Sequence, residues 1–474
     1  MRNTSGYFLR GVHGGEHINF PRLLVGSEGT LGLFTSVTLH TAPLPEFRGV
    51  ALLLFSEMDH AIDSVLAVMP QQPSACDLID RRLLSLGREN DSRFSRLIPP
   101  ESEAGLLIEQ TGYNEAQARD RIEMAIQVIR KRQPDMQVAC EAYNFEDVEF
   151  LWELPRKVVT NLTRIGGSSK PVPFIEDYAV PPEAIGKFYA QAQRLLQQHE
   201  ITASLYSHAA SGQIHMRPFM PVPRPKDGPR INALMRELNE LAISLGGTIS
   251  GEHGDGLSRS AFVRQQYGQL YPVFRQVKNI FDPHNLMNPD KIVTEETTFP
   301  ATAMRREVKP PDELLQLQLN WSPEDLVAAT ELCNGCGGCR TQEDDLRMCP
   351  FFRIEPSEEA SPRSHANIFR SFISGELEPT VAASPELGRI ASLCFNCKQC
   401  ELECPTNAPI PRLMIETKAQ TVAANGLDRA TLILSRPHSI GALGSRFPWL
   451  ANGIIRNRIT RWLIEKAVGL HRYR

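Results

Sequence analysis

The stretch CFNCKQCELECP, residues 394–405, decides how the last third of this chain folds. Cys394, Cys397, Cys400 and Cys404 follow a spacing in which three close thiolates wrap one iron–sulfur cubane and the fourth, before a proline, ligates a second. The short spacers let consecutive thiolates point inward, and Pro405 turns the chain away. A similar run lies upstream. Cys333, Cys336 and Cys339 repeat the close spacing, and Cys349-Pro350 follows after nine intervening residues instead of three. The pairing rule puts Cys333, Cys336, Cys339 and Cys404 on one [4Fe–4S] cluster, and Cys394, Cys397, Cys400 and Cys349 on the other. Structural zinc also uses paired cysteines. It needs only four ligands, however, and neither run needs a third close cysteine and a Cys-Pro to supply them.

Eight of the ten cysteines fall between Cys333 and Cys404; only Cys76 and Cys140 precede them, in apolar surroundings that read as core. Disulfide scaffolds are small and secreted, whereas this chain has 474 residues and begins MRNTSGY, without the apolar segment of a secretory signal. Clustered thiols therefore point to metal in a reducing compartment, and the expected location is the cytoplasm. The length suits two to four domains. A hydrophobic content of 42% and a charged content of 22% are ordinary for a globular protein. With a net charge of −4 and no long basic run, no nucleic-acid footprint is expected. No run of about 18 apolar residues is present to span a membrane.

Residues 21–40, PRLLVGSEGTLGLFTSVTLH, read as a buried strand, a glycine-rich turn and a second strand, with a boundary near Pro43 and Pro45. From about residue 49 strand-like runs alternate with amphipathic helices. Strands are expected at 49–55, 105–111, 137–142 and around 201–218, and helices near 58–69, 114–132, 181–198, 229–245 and 268–281. This is an α+β domain running to about residue 290. Residues 294–312 carry Pro300, Pro310 and Pro311 without periodicity and read as a linker. A cysteine-rich helical segment follows to about residue 424. The final fifty residues read as helices interrupted at Gly441, Gly444 and Pro448.

Two further constellations carry chemistry. In Gly26-Ser27-Glu28-Gly29-Thr30, glycines stand where backbone must approach a ligand, beside hydroxyl and carboxylate groups that can fix it. His208 and His215 flank the small residues 209–212, with Glu252-His253 downstream. A separation of seven puts two strand residues on opposite faces unless the chain turns between them. The small residues permit that turn, and two imidazoles with a carboxylate suit a divalent ion such as zinc.

Together VGSEGTLG (25–32), SGEHGDGLSR (250–259) and FDPHNLMNPDKI (281–292) resemble the FAD-linked oxidases of the vanillyl-alcohol oxidase type. Within that group the chain is similar to D-lactate, glycolate and D-2-hydroxyglutarate dehydrogenases that carry a fused ferredoxin domain. The resemblance implies an antiparallel-sheet substrate-cap domain (46–293) after a remnant of the FAD-binding domain (1–45). A linker (294–320), an α-helical ferredoxin-like two-cluster domain (321–425) and a helical C-terminal segment (426–474) would follow.

It further implies that the 26–30 turn and Asn288 lie against FAD, that His208, His215 and Glu252 bind the divalent ion, and that His253 is the catalytic base. The substrate would be a small 2-hydroxy acid. Electrons would leave through the two clusters to a quinone, a cytochrome or an electron-transfer flavoprotein. The family's His-Ala-Gly-Asp-Gly-Asn-Leu-His motif is altered here, with Ala210 and Ser211 replacing glycine and aspartate. That puts the orientation of the metal ligands in question. For the substrate carboxylate, the LWELPRKVV segment (151–159) offers Arg156, with Lys170 and Arg259 as further candidates.

The family's longer FAD-binding domain, with its pyrophosphate loop, has no counterpart in this sequence. The expectation is therefore one part of a larger polypeptide or assembly, whose FAD is shared with a separate FAD-domain chain. The rival reading is a non-catalytic iron–sulfur subunit that docks a flavoprotein. Ile454, Ile455, Ile459, Trp462 and Leu463 recur at helical spacing among Arg456, Arg458, Arg461 and Lys466. This segment reads either as a helix packed on a missing domain or as a peripheral contact with the inner face of a membrane.

Overall fold

The computed structural model describes residues 1–157, 162, 169–300, 303–304, 308, 317–343 and 347–473. These fall into two compact units, Met1–Glu307 and Val308–Arg474.

The first unit is built on the run GVALLLF. β1 (Phe47–Phe55) is apolar without alternation because both faces of its sheet are covered. The other strands of its sheet are β2 (Ala75–Asp80), β3 (Ala104–Gly112), β4 (Gln137–Ala142), β5 (Lys170–Pro171), β6 (Tyr178–Ala179), β7 (Thr202–His208) and β8 (Gln213–Met220). They lie in the order β4-β1-β3-β2-β7-β8-β5, with β6 also on β8, and every pairing is antiparallel.

On one face Ala51, Leu53 and Phe55 pack with α1 (Met58–Val68), α3 (Glu115–Arg132), α5 (Ile185–Gln198) and α6 (Gly228–Ser244). On the other, Val50, Leu52 and Leu54 pack with α2 (Arg81–Asn90) and α4 (Phe145–Arg156). Each such buried aliphatic side chain contributes about 1.5–3 kcal/mol. Local signals agree with the helices: Asn114 caps α3, its side chain accepting from the Gln117 N–H, and Arg130, Lys131 and Arg132 occupy the last turn. This sheet of antiparallel strands carrying helices is the expected mixed architecture.

Several expectations need correction. Residues 21–40 do not form two strands. Phe20–Leu24 is a short helix, and 31–46 carries no helix or strand. A strand needs a neighbour for its N–H and C=O groups. None pairs with this stretch among the described residues, and Leu33, Val37 and Leu39 stay exposed. The helix expected at 268–281 is α7 (Tyr271–Phe281), which begins after a turn at Gly268 (φ +49°). Part of the expected linker is packed rather than free: Phe299 N–H donates to Asn232 Oδ1 at 2.6 Å, and Met304 is buried in the core. Other residues of that linker lie outside the described ones. Cys76 is buried, but Cys140 is only half-buried.

In the second unit three helices begin with a serine cap followed by proline: Ser322 before α8 (Pro323–Glu331), Ser361 before α9 (Pro362–Ile373) and Ser384 before α10 (Pro385–Ser392). The long α11 (Ile410–Asn425) packs against α9 and carries buried Glu416, which accepts from the Gln318 and Leu319 N–H groups and the Trp321 indole. Gly441 and Gly444 lie inside one helix, Pro437–Arg446, so they do not interrupt it; Pro448 does begin the next.

The turn from β7 to β8 depends on Gly212. Its φ is +77°, and a Cβ there would sit 1.8 Å from the Val180 carbonyl oxygen. Gly212→Ala should therefore cost more than about 2 kcal/mol, read as a lower urea midpoint with an unchanged m-value; an unaltered midpoint would contradict this account of the turn.

Candidate functional site

β7 ends at His208, the turn Ala209–Ser211 follows, and β8 begins at Gln213. The register pairs His208 with Gln213 and Tyr206 with His215. Cross-strand partners share a face, so both histidines lie on one side, with ring centroids 5.3 Å apart. The predicted convergence is what the structure shows.

Glu252 and His253 come from a loop held by Asp177. The Asp177 carboxylate, buried at φ +71°, accepts from the backbone N–H of Glu252 (3.1 Å) and His253 (2.8 Å), the Gln213 amide (2.7 Å) and the Ser250 hydroxyl (2.9 Å). As a result Glu252 Oε1 stands 3.7 Å from His208 Nε2, 3.6 Å from His215 Nε2 and 3.7 Å from His253 Nε2. Ligand-capable atoms of Asp177, His215, Glu252 and His253 all lie within 4.8 Å of one another. Asp177 is committed to the loop donors, which leaves Glu252 and the imidazoles as the set able to hold an ion.

The electrostatics suit that set. Burial first, then the neighbouring His208 and His253, pushes His215 down to about 3, so its ring is neutral. The hydrogen bond to Asp77 raises His208. This bond, Nδ1 to Asp77 Oδ1 at 3.0 Å, leaves Nε2 directed at Glu252. Burial works against ionised Asp177, but the N–H of His253 and the amide of Gln213 hold it below the usual range. The orientation left in question by Ala210 and Ser211 is thus supplied by Asp77 of β2, which also accepts from the Tyr206 hydroxyl.

A cleft beside these groups is lined by Pro155, Ser204, Tyr206 and Arg217, with Glu176 paired to Arg217. Arg156, expected to meet a substrate carboxylate, does not line it. Arg156 stands seven residues, about two helical turns, after Glu149 on α4, and is ion-paired with it at the surface. Neither does Lys170 line the cleft, and Arg259 donates to the Gly254 and Glu176 carbonyls instead. Arg217 is the only lysine or arginine among the described lining residues. Asp77, Glu176, Asp177, Tyr206 and Arg217 were not anticipated. The single acid inside the apolar run ACDLI (75–79), and the acidic pair in FIEDY (174–178), were the available signals.

In the 26–30 turn, Gly26, Glu28 and Gly29 all have positive φ. Glu28 accepts from the N–H of Asp255 (2.6 Å) and Gly256 (2.8 Å), Asn288 donates to the Glu28 carbonyl (2.6 Å), and Thr30 meets the Tyr7 hydroxyl (2.6 Å). These side chains build the turn and leave the backbone of Gly26 and Gly29 as its open edge, where an added Cβ would meet nothing within 4 Å. A groove of about 800 Å³ runs along Asn3–Arg10 and past Val25–Gly26. An open glycine edge beside a groove of this size fits a flavin.

In the second unit the two cysteine runs share a backbone. Gly335 and Gly337 flank Cys336 with positive φ, and Asn396 and Lys398 flank Cys397 in the same way. Cys339 lies within electrostatic reach of Cys333, Cys336 and Cys404, and Cys349 of Cys397 and Cys394. Cys400 meets Cys394, Cys349 and Cys397 first, with Cys404 weaker. Burial, reinforced by these neighbours, pushes Cys339 up to about 11 and Cys400 higher still. Thiolates so placed call for a metal cation. A small cavity is lined by Cys349, Cys394, Cys397, Cys400 and buried His365, whose Nε2 has no partner.

Residues 44–292 match the family described as FAD linked oxidases, C-terminal domain, and residues 332–409 match a 4Fe-4S dicluster domain. The chain belongs to the FAD-linked oxidase C-terminal family, here followed by a 4Fe–4S dicluster domain, and these domains imply FAD and [4Fe–4S] clusters. It is 25% identical over 520 residues to D-2-hydroxyglutarate dehydrogenase of Escherichia coli (strain K12), covering 99% of this chain and 50% of that protein. It is 29% identical over 294 residues to D-lactate dehydrogenase of Archaeoglobus fulgidus (62% and 60% covered). Over 305 residues it is 28% identical to the glycolate oxidase subunit GlcD of Bacillus subtilis (64% and 62% covered). The chain spans about half the length of the first of these relatives.

The crossed cysteine assignment has a direct test. In a Cys394→Ala/Cys397→Ala background one cluster should remain. Adding Cys404→Ala should then remove most of the residual iron, whereas adding Cys349→Ala should leave it. Iron analysis giving the reverse order would refute the crossing.

Proposed function

We propose that this chain supplies the substrate-binding and electron-exit parts of an FAD-dependent D-2-hydroxy-acid dehydrogenase. Its substrate would be a small acid of the D-lactate, glycolate or D-2-hydroxyglutarate kind, oxidised to the 2-oxo acid. The observation that carries this reading is the single carboxylate oxygen, Glu252 Oε1, standing 3.6–3.7 Å from three imidazole Nε2 atoms. Two ligands each about 2.0–2.1 Å from a tetrahedral ion are themselves about 3.4 Å apart. His208, His215 and Glu252 therefore suit a divalent ion such as zinc.

The remaining roles follow from position. His253 is more exposed than His215 and faces the same carboxylate, so its imidazole is placed to take a hydroxyl proton. Arg217 offers a guanidinium to the substrate carboxylate in place of Arg156. Asp77 and Asp177 orient His208 and the Glu252-His253 backbone. The open edge at Gly26 and Gly29 would meet the flavin, and the eight cysteines would hold the clusters. When bound, FAD supplies the two-electron acceptor and the clusters supply one-electron carriers towards a quinone, a cytochrome or an electron-transfer flavoprotein. The base must lie within hydrogen-bond reach of the hydroxyl, which is why a short imidazole set beside a fixed ion is the chemically useful arrangement.

Anaerobic addition of each acid to the protein combined with an FAD-domain chain carrying FAD should bleach the visible iron–sulfur absorbance and release 2-oxo acid. His253→Gln should slow this by about 10²–10⁴-fold while the non-iron metal content stays at the wild-type level, and Glu252→Gln should lose that metal. Full activity in His253→Gln, or no response to any of the acids, would refute the reading.

A further inference from the structure

The four helices that close the chain, α12 (Arg429–Leu434), α13 (Pro437–Arg446), α14 (Pro448–Arg456) and α15 (Arg458–Val468), contain no buried residue. They touch one another in sequence, and Arg429 Nη1 reaches back to the Ala467 carbonyl at 3.2 Å. The group therefore closes on itself without forming a core. Its large apolar side chains instead face water: Leu443 is 67% exposed, Trp449 77% and Ile459 69%. On α15, Ile459, Trp462, Leu463 and Lys466 are all exposed at the i, i+3, i+4, i+7 spacing of one helical stripe.

Charge says what covers this surface. Residues 429–474 hold nine arginines and lysines against one acid, Glu465, a net +8 within a chain of net −4, so the preceding residues carry −12. Aromatic and aliphatic side chains exposed among concentrated cations are the composition of an interfacial helix at an anionic bilayer. There the indoles sit at headgroup depth, while Arg and Lys reach the phosphates. The longest of the four helices has 11 residues. At 1.5 Å per residue it falls far short of the roughly 30 Å hydrocarbon core, so it can lie on the surface but not cross it. A second copy of the same face would bring +8 against +8, which disfavours self-association.

We propose that α12–α15 form a docking surface for an anionic phospholipid bilayer. The surface would bring the cysteine-bearing unit to a membrane; no helix of the described residues is long and apolar enough to cross one.

Flotation of the full chain with vesicles tests this. Vesicles of phosphatidylcholine mixed with phosphatidylglycerol should carry the protein, and phosphatidylcholine alone should carry at least about tenfold less. Raising the salt should weaken the binding. Arg456→Glu/Arg458→Glu/Lys466→Glu and Trp449→Ser/Trp462→Ser should each abolish most of it while leaving the iron–sulfur absorbance unchanged. Should either variant fail to fold, the lipid and salt comparison on the wild-type chain still decides. No flotation, or equal flotation with both lipid compositions, overturns the proposal. So does a concentration-dependent dimer that Trp449→Ser/Trp462→Ser disperses when no vesicle binds, since the face would then belong to a second copy.

Discussion

The buried carboxylate of Asp177 joins the histidine cluster of the first unit to its glycine turn. It sits in a left-handed backbone position beside β6 and gathers two backbone N–H groups, an amide and a hydroxyl. Hydrogen bonds to a charged acceptor are each worth about 1.5–3 kcal/mol, and their loss leaves buried donors unpaired. The 250–256 loop is therefore fixed against β8. From that loop Glu252 and His253 project towards the imidazoles of β7 and β8, and the N–H groups of Asp255 and Gly256 tie it to Glu28 of the glycine turn. Gly254 belongs to the same arrangement, since a Cβ there would come within 2.5 Å of Glu28 Oε1. One ion's worth of negative charge thus sets the distance between the histidine centre and the glycine turn.

Each unit solves a version of one electrostatic problem. Several Lewis bases are brought together in partly buried surroundings, where a cation would offset their mutual repulsion and desolvation. In the first unit the bases are nitrogen and oxygen, with His215 kept neutral by burial. In the second they are sulfur, with the buried thiols pushed up until metal displaces their protons. Nitrogen and oxygen donors suit zinc or a similar divalent ion, and clustered thiolates suit iron–sulfur clusters. The donor atoms themselves separate the two kinds of site.

Most of the fold was legible in the sequence because its signals were local. The unbroken GVALLLF run, the amphipathic 114–132 segment and the QVACEA strand appear close to where periodicity put them. The convergence of His208 and His215 was legible for the same reason, since a turn of small residues reverses the strand at once. Residues 21–40 failed the same test, because strand-like alternation is realised only beside a pairing partner. Asp77, Tyr206 and Arg217 were not legible. Their roles depend on the register between strands distant in sequence, and no spacing rule reports that. Arg156 was misplaced by one residue of helical rotation, which put Pro155 on the cleft and turned the guanidinium to Glu149.

His208, His215 and Glu252 would hold a divalent ion apart from the cysteines. X-ray absorption at the zinc edge, on protein purified with its clusters, measures this directly. The account predicts a shell of nitrogen and oxygen scatterers at about 2.0–2.1 Å with imidazole outer-shell features and no sulfur. A sulfur shell near about 2.3 Å, or the absence of any bound non-iron metal, would contradict it.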